Sequence, residues 1–558
     1  MKNRLRALVD QVLPDVLTEL KVPSLKPHEI PYEVEWPKVK AHGDLSVNLA
    51  FQLGRELKQS PMDIARTCQR ILSQKIRQGK EGSPWIEEIT VARPGFINFK
   101  LTNSSIAKEL LEIHRLDQEY GRSDLGRGAK VLIEFVSANP TGPLTIAHGR
   151  QAAIGDTLAR ILKVVAFQPH KEFYLNDMGR QIRLLGESLW ARYQQLFGRK
   201  AELPEEGYEG DYLVELARRL KDEIGDRFLK QGASNNLAKI SEYGIQSILS
   251  ETKKDLSAMR VEFDEYFSEQ SLEEAQLIDH VLDALKVRGC VYEADGALWF
   301  RATRFGDDKD RVLKKQTGEY TYLSSDIAYH ESKFRRGYDR LINLWGPDHH
   351  GYIARVHAAC QALGYSRDRL KILIVQLTTL YRHGELVRMS TRKGEFVTLR
   401  QLLDEVGVDA TRFFFLMRKV ESHLDFDLEL ATRKSDENPV YYVQYAYARI
   451  SSILSYAKQK VTADVDLDLL REPEALDLIK KMVEYPDVLQ QAADHLEPYR
   501  VVDYLRELAT AFHKFYTTCR VVTQDEPLTK TRLLLTDSVR IVLRSGLEIL
   551  GVSAPTSM

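Results

Sequence analysis

The stretch "KVLIEFVSANPTGPLTIAHGR", residues 130–150, sets the organisation of the chain. Residues 131–136 are apolar except for Glu134, as a strand covered on both faces should be. A Gly/Pro-rich loop follows. Then Ile154, Leu158, Ile161, Leu162 and Val165 recur at helical spacing. Strand, loop and helix in that order aim backbone N–H groups and the positive end of a helix at an anion, and phosphate is the expected one.

Working outward, "HKEFYLND" (170–177), "DRLINLWG" (339–346) and "LKILIVQLTTL" (370–380) read as further strands of a parallel sheet. Residues 195–305 turn charged and helical, as in "DYLVELARRLKDEIGDRFL", and read as an insertion that splits the α/β domain. Residues 1–122 mix helical patterns with short strands, "EEITVARPGFINFKL" among them, and the polar "GRSDLGRGAK" (121–130) marks their end. After residue 400 the pattern is helical to the end, with a connecting segment over 401–436 and a last domain over 437–558. The expected fold is therefore α/β multidomain. A Rossmann-like parallel-sheet domain over 123–400 carries a helical insertion, between an α+β N-terminal domain and an all-α C-terminal domain. At 558 residues, several cores are required.

Composition narrows the function classes. The net charge of −1 gives no overall attraction for a polyanion, so any nucleic-acid contact must rest on local patches. No apolar run reaches the roughly 20 residues of a membrane span. The opening "MKNRLRALVDQVLPDVLTEL" has acids inside its apolar pattern, unlike a signal peptide. Cys68, Cys290, Cys360 and Cys519 are scattered with no Cys-x-x-Cys pair, which fits a reducing cytoplasm and offers no zinc site.

Two segments suit a nucleotide. His148 opens the helix after the loop, where it can donate to phosphate oxygens as charge develops. "VRMSTRKGEFVTLR" (387–400) is a basic loop. Two carboxylates suit a cation: Glu134 interrupts its apolar strand, and Asp326 lies four residues after Tyr322 in "TYLSSDIAYH", one helical turn away. A guanidinium prefers such flat acceptors. Pairing to a neighbouring base is the alternative for Glu134, and a helix N-cap for Asp326. In "LWGPDHHGYIAR" (344–355), Asp348 can accept from ribose hydroxyls with His349 nearby. No third ligand gives the His-His pair a metal site.

The first segment resembles the "HIGH" signature of class I aminoacyl-tRNA synthetases, with Thr145, Ile146, Ala147 and His148 in its four positions. The second resembles their "KMSKS" loop, with Arg388, Met389, Ser390, Thr391 and Arg392 in place and Lys393 alongside. The wider context resembles arginyl-tRNA synthetases. That resemblance implies arginine activation with ATP, accompanied by Mg2+, then transfer to tRNA(Arg), with activation requiring bound tRNA. It assigns arginine to Glu134, Asn139, Tyr322 and Asp326. It assigns ATP to Thr145, Ala147, His148, Asp348, His349 and the residues of the second loop. Thr145 stands where the family has its first His, and Ala147 where Gly lets adenine approach the backbone. Losing one preorganised donor typically costs about 10²–10³ in rate, so this site should be weakened, not abolished.

The resemblance continues at both ends of the chain. "HGDLSVNLAFQL" (42–53) is similar to the family's domain for the D-loop corner of tRNA, with Asn48 and Phe51 at reading positions. "ENPVYYVQYAYARISSIL" (437–454) resembles the start of its anticodon-binding domain. Val443, Tyr447, Ile450 and Leu454 form a core stripe there, while Tyr441 and Tyr445 form a stripe fit for base stacking. The closing "GVSAPTSM" implies a tRNA contact at Met558. A cytoplasmic monomer is expected. Two other readings share these residues: a paralogue that binds tRNA with weakened catalysis, and a ligase that loads arginine onto another acceptor.

Overall fold

A computed structural model describes residues 1–22, 25–26, 29–37, 39–78, 85–231, 233–387 and 397–558. The chain divides into two compact units, each assembled from separated segments. The first comprises residues 1–120, 449–484 and 510–542. Its antiparallel sheet contains β1 (Val34–Glu35), β2 (Leu45–Val47), β3 (Ile86–Ala92) and β4 (Phe96–Leu101) in the order β1-β2-β4-β3. Ile97, Phe99 and Leu101 alternate along β4 and are all buried, so one face of the sheet lies against helices. Those include Lys2–Glu19, Leu49–Leu57 and Pro61–Gln78.

The second unit comprises residues 121–448, 485–509 and 543–558. At its centre is a five-stranded, all-parallel sheet. Its members are β5 (Lys130–Glu134), β6 (Gln168–Leu175), β7 (Glu265–Ser268), β11 (Arg340–Trp345) and β12 (Leu370–Ile374). Their order is β12-β11-β5-β6-β7. Val131, Leu132 and Ile133 are fully buried, as the uninterrupted apolar run predicts. The chain moves outward from β5 through β6 to β7, then returns to the other side of β5 with β11. Between β5 and β11 the direction reverses, and ligands of doubly wound sheets settle outside the strand ends at such a point. Glu134 faces Asn343 in register there.

The helix Ile146–Val164 follows β5 as predicted and packs closely on the sheet. A Cβ on Gly155 would come within 2.3 Å of the Phe135 ring. The span 195–305 is largely helical, yet it contributes β7 to the main sheet, and β8 (Val291–Ala294) and β9 (Ala297–Phe300) to a meander with β10 (Arg311–Lys314). Helices Gly179–Gln195, Asp211–Ile224 and Ala233–Ala258 share an apolar core of their own. Beyond residue 400 the expectation of helix alone needs correction. Leu424–Asp427 is a strand, β15, that pairs in parallel with β13 (Thr378–Arg382), while β14 (Glu385–Leu386) pairs antiparallel with β13. Four residues alternating buried and exposed are too few to break a helical reading.

Candidate active site

A cleft of about 520 Å³ opens at the carboxyl ends of β5 and β11. Glu134, Asn139, His148, Tyr322, Asp326 and Asp348 all line it, brought together from three separate sequence segments. His349 lines it as well. Thr145 and Ala147 stand beside His148 at the helix start but are not among the lining residues. Arg388, Met389, Ser390, Arg392 and Lys393 lie outside the described residues.

Thr145 is the N-cap of the helix Ile146–Val164, and His148 is its third residue. The Thr145 backbone N–H donates to His148 Nδ1 at 3.1 Å, and the Thr145 hydroxyl lies 3.2 Å from the same nitrogen. A backbone N–H can only donate, so Nδ1 accepts and the neutral ring carries its proton on Nε2. Burial holds the imidazole neutral by pushing its pKa down to about 4. His148 therefore offers the cleft a fixed N–H donor without a charge. The Thr145 backbone and hydroxyl together set its orientation. Thr145 also forms a β-bridge with Thr398, and the Leu399 N–H donates to the Leu144 carbonyl at 2.8 Å. The chain leaving the second signature is thus fastened to the first.

The turn between β5 and this helix is strained. Val136 (φ 68°) and Ser137 (φ 40°) both occupy the left-handed region, which is costly for a β-branched residue. Side chains hold them there. The Val136 N–H donates to Gln151 Oε1 at 3.2 Å, and the Ser137 hydroxyl donates to Glu134 Oε1 at 3.1 Å while accepting from the Tyr174 N–H.

The carboxylates differ in what they have to spare. Glu134 is 6% exposed and already paired, with Lys333 Nζ 2.6 Å from its Oε2. Lys333 is fully buried; it also donates to Asn343 Oδ1 at 3.2 Å and lies over the Tyr329 ring. The Asn343 amide in turn donates to His330 Nε2 at 2.8 Å, which requires the His330 proton on Nδ1, where it meets the Asp326 backbone carbonyl at 2.8 Å. Burial, aided by Lys333, pushes the His330 pKa down to about 3, consistent with this neutral chain. Glu134 is thus one end of a satisfied buried network, with Lys333 on one oxygen and Ser137 on the other.

Asp326 is different. It lies one turn into the helix Tyr322–Arg335, whose N-cap is Thr321, so it is no capping residue. It has no ion pair among the described residues. Burial, with the charges of Glu134 and Glu269, pushes its carboxyl up to about 7 against the pull of Lys333. Glu269, immediately after β7, completes the acidic wall, and its own pKa is raised by burial. The sequence reading missed it, because "SEQSLEE" shows charge at every turn and nothing marks one glutamate as special. Tyr322, one turn before Asp326 on the same helix face, is 74% exposed at the mouth. Asp348 and His349 sit on the short 3₁₀ helix Pro347–Tyr352 after β11, 3.3 Å apart and both exposed.

One group of three metal-capable side chains occurs among the described residues, His170, Glu172 and Glu265. The Arg336 guanidinium already bonds both glutamates there, so a cation is in place.

The outlying positions are arranged as follows. Asn48 caps the helix Leu49–Leu57 and accepts from the Glu33 N–H at 2.7 Å. Phe51 is half-buried edge-on to Phe96. In the second unit, Tyr441 and Tyr445 stack with centroids 6.1 Å apart and planes 11° from parallel. Val443, Tyr447 and Ile450 are buried, while Leu454 is only half-buried. Tyr441 and the exposed Met558 line a second cleft, of about 610 Å³, together with Arg433, Lys434 and Gln444.

Three family descriptions match successive parts of the chain. They are the arginyl tRNA synthetase N-terminal domain over residues 3–101, the catalytic domain of class I (R) tRNA synthetases over 112–421, and the DALR anticodon binding domain over 443–558. Arginine–tRNA ligase 1 of Halalkalibacterium halodurans is 44% identical, with all of both chains covered. The arginine–tRNA ligase of Geobacillus thermodenitrificans is 48% identical over 94% of each chain. The solved structure of Thermus thermophilus arginyl-tRNA synthetase is 22% identical and superimposes over the full length of both chains with a TM-score of 0.78, a likeness of fold. Similarity of this depth, unbroken from end to end, places the chain in the arginyl-tRNA synthetase family of class I.

Proposed function

We infer that the chain is an ATP-dependent arginine–tRNA ligase, which activates arginine and transfers it to tRNA(Arg). The arrangement that supports assigning the chemistry to this cleft is the meeting of an acidic wall with the His148 donor at the reversal point of the sheet. Glu134, Glu269 and Asp326 against Lys333 leave the cleft short of positive charge, and arginine brings both a guanidinium and an ammonium. In our assignment Asp326 and Glu269 take the guanidinium with Tyr322 over it, while Asn139 and the Lys333-anchored Glu134 meet the α-amino and carboxylate end.

The carboxylate of arginine attacks the α-phosphorus of ATP and pyrophosphate departs. The terminal ribose hydroxyl of tRNA then attacks the activated carbonyl and AMP departs. No side chain needs to bond covalently, so the protein contributes position and charge stabilisation. His148 Nε2–H and the N-terminus of its helix face the phosphates, and Asp348 meets the ribose. The second signature, from Arg388 to Lys393, supplies cations. Mg2+ neutralises phosphate charge when it accompanies ATP. Among the described residues near that end, the exposed Asp348 and His349 are the side chains that could act as ligands, so the phosphates would hold most of the ion's coordination. Asn48, Phe51, Tyr441, Tyr445 and Met558 are assigned to tRNA.

Pyrophosphate exchange that requires arginine and tRNA tests the activity. Asp326→Asn should raise the KM for arginine by at least about thirty-fold, because a guanidinium loses a counter-charge worth about 2 kcal/mol or more. An unchanged KM removes Asp326 from the site.

A further inference from the structure

The helical body of Gly179–Gln195, Asp211–Ile224 and Ala233–Ala258 packs around its own core, with Leu189, Leu216 and Ile240 buried in it. It nevertheless reaches toward the nucleotide end of the cleft at two places. At the first, the Tyr212 hydroxyl donates to the Thr141 carbonyl at 2.5 Å. Thr141 belongs to the loop between β5 and the signature helix, and its N–H donates to the Asn139 carbonyl at 2.7 Å. The Tyr212 ring is slotted between two glycines. A Cβ on Gly142 would stand 3.4 Å from Cζ, and one on Gly210 would stand 2.6 Å from Cε1. At the second place, Asp255 accepts from Arg400 Nε at 2.9 Å, and the Lys254 carbonyl accepts from the same guanidinium at 3.3 Å. Arg400 comes two residues after Thr398, which bridges Thr145. One helical body with a shared core therefore touches both the loop that leads into the first signature and the segment after the second.

The loop has a reason to need outside support. Pro140 and Pro143 carry no N–H, so the loop has two fewer backbone donors with which to anchor itself. We propose that Tyr212 is a positioning residue for adenylate formation, fixing through the Thr141 carbonyl the loop that sets Asn139 and the start of the signature helix against the cleft. This rests on the ligase reading. Displacing a reacting group by a fraction of an ångström lowers rate without touching the groups that grip the substrate's far end.

Tyr212→Phe keeps the ring in its slot and removes only the hydrogen bond. In the full chain, kcat for arginine- and tRNA-dependent pyrophosphate exchange should fall about ten-fold. The KM for arginine should rise less than kcat falls, since Asp326 and Glu269, assigned to the guanidinium, hang on other elements while only Asn139 moves with the loop. Tyr212→Leu, which empties the slot, should lower kcat further. A purely structural tyrosine would lower the thermal midpoint and leave kcat per folded molecule unchanged, and that result overturns the proposal. So does a kcat within about two-fold of the parent in both variants. A parent without exchange activity fails the ligase reading and takes this proposal with it, whereas unchanged variants of an active parent remove the positioning role alone.

Discussion

Asp326 and His148 face the same cleft with opposite displacements from their ordinary pKa values. Asp326 is pushed up to about 7, so at neutral pH it is only partly ionised. Arginine binding should therefore tighten as pH rises through about 7 and level off above it, because the cation selects the ionised form. The KM for arginine, measured from about pH 6 to about 8.5, should fall steadily and then flatten; a flat profile throughout contradicts the assignment. The same shift acts on stability. Between about 4 and about 7 the folded state holds a proton that the unfolded chain has released, so this group's contribution falls as pH rises. His148 runs the other way. Its pKa of about 4 lies below the unfolded value of about 6.5, so its contribution is in place above about 6.5 and is lost as pH falls toward 4. His148→Ala should cost about 10²–10³ in the exchange rate, with no titration of that effect near neutrality. At this scale resemblance to family signatures singles out His148, Tyr322 and Asp326, and the fold brings all three to one cleft. Lys333 was not, since a lysine in "YHESKF" looks like any solvated charge until the fold buries it.

At the scale of elements, legibility followed length and burial. The strand at β5 and the helix after it declare themselves through a continuous apolar run and a sustained helical period. The four-residue β7 is half-buried throughout and has no period of its own; only its partner β6 makes it a strand. The carboxylate it delivers, Glu269, was hidden with it. Helix–sheet contact beneath the cleft depends on Gly155, where an added methyl would fall 2.3 Å from an aromatic ring. Gly155→Ala should therefore destabilise the protein by about 1–3 kcal/mol despite the better helix propensity of alanine, read as a lower urea midpoint. An unchanged or raised midpoint would mean that the sheet and helix yield more easily than this packing implies.

Across the whole molecule, sequence order and spatial grouping diverge. The linear pattern suggests successive domains, but each compact unit draws on segments hundreds of residues apart. Local pattern cannot announce such grouping, since it depends on which buried polar groups find one another. In the second unit the fully buried Arg412 pairs with Asp156, which is 1% exposed and also accepts from Arg160 and Lys171. Asp156→Ala strands a buried guanidinium and should cost about 3–5 kcal/mol, seen as a lower thermal midpoint. The three surrounding cations keep the Asp156 carboxyl below its usual range, against the effect of burial. Its contribution is thus present above about 4 and lost as pH drops below that.

Two arginines of that network, with Arg260 from outside it, also grip the end of the last helix. Arg160, Arg412 and Arg260 donate to the carbonyls of Glu548, Leu550 and Gly551, where the helix presents its negative pole. Shortening that helix by a single turn would leave three guanidinium groups without these acceptors, and since Arg160 stands on the helix that begins beside the cleft, damage near position 550 would be felt near position 148.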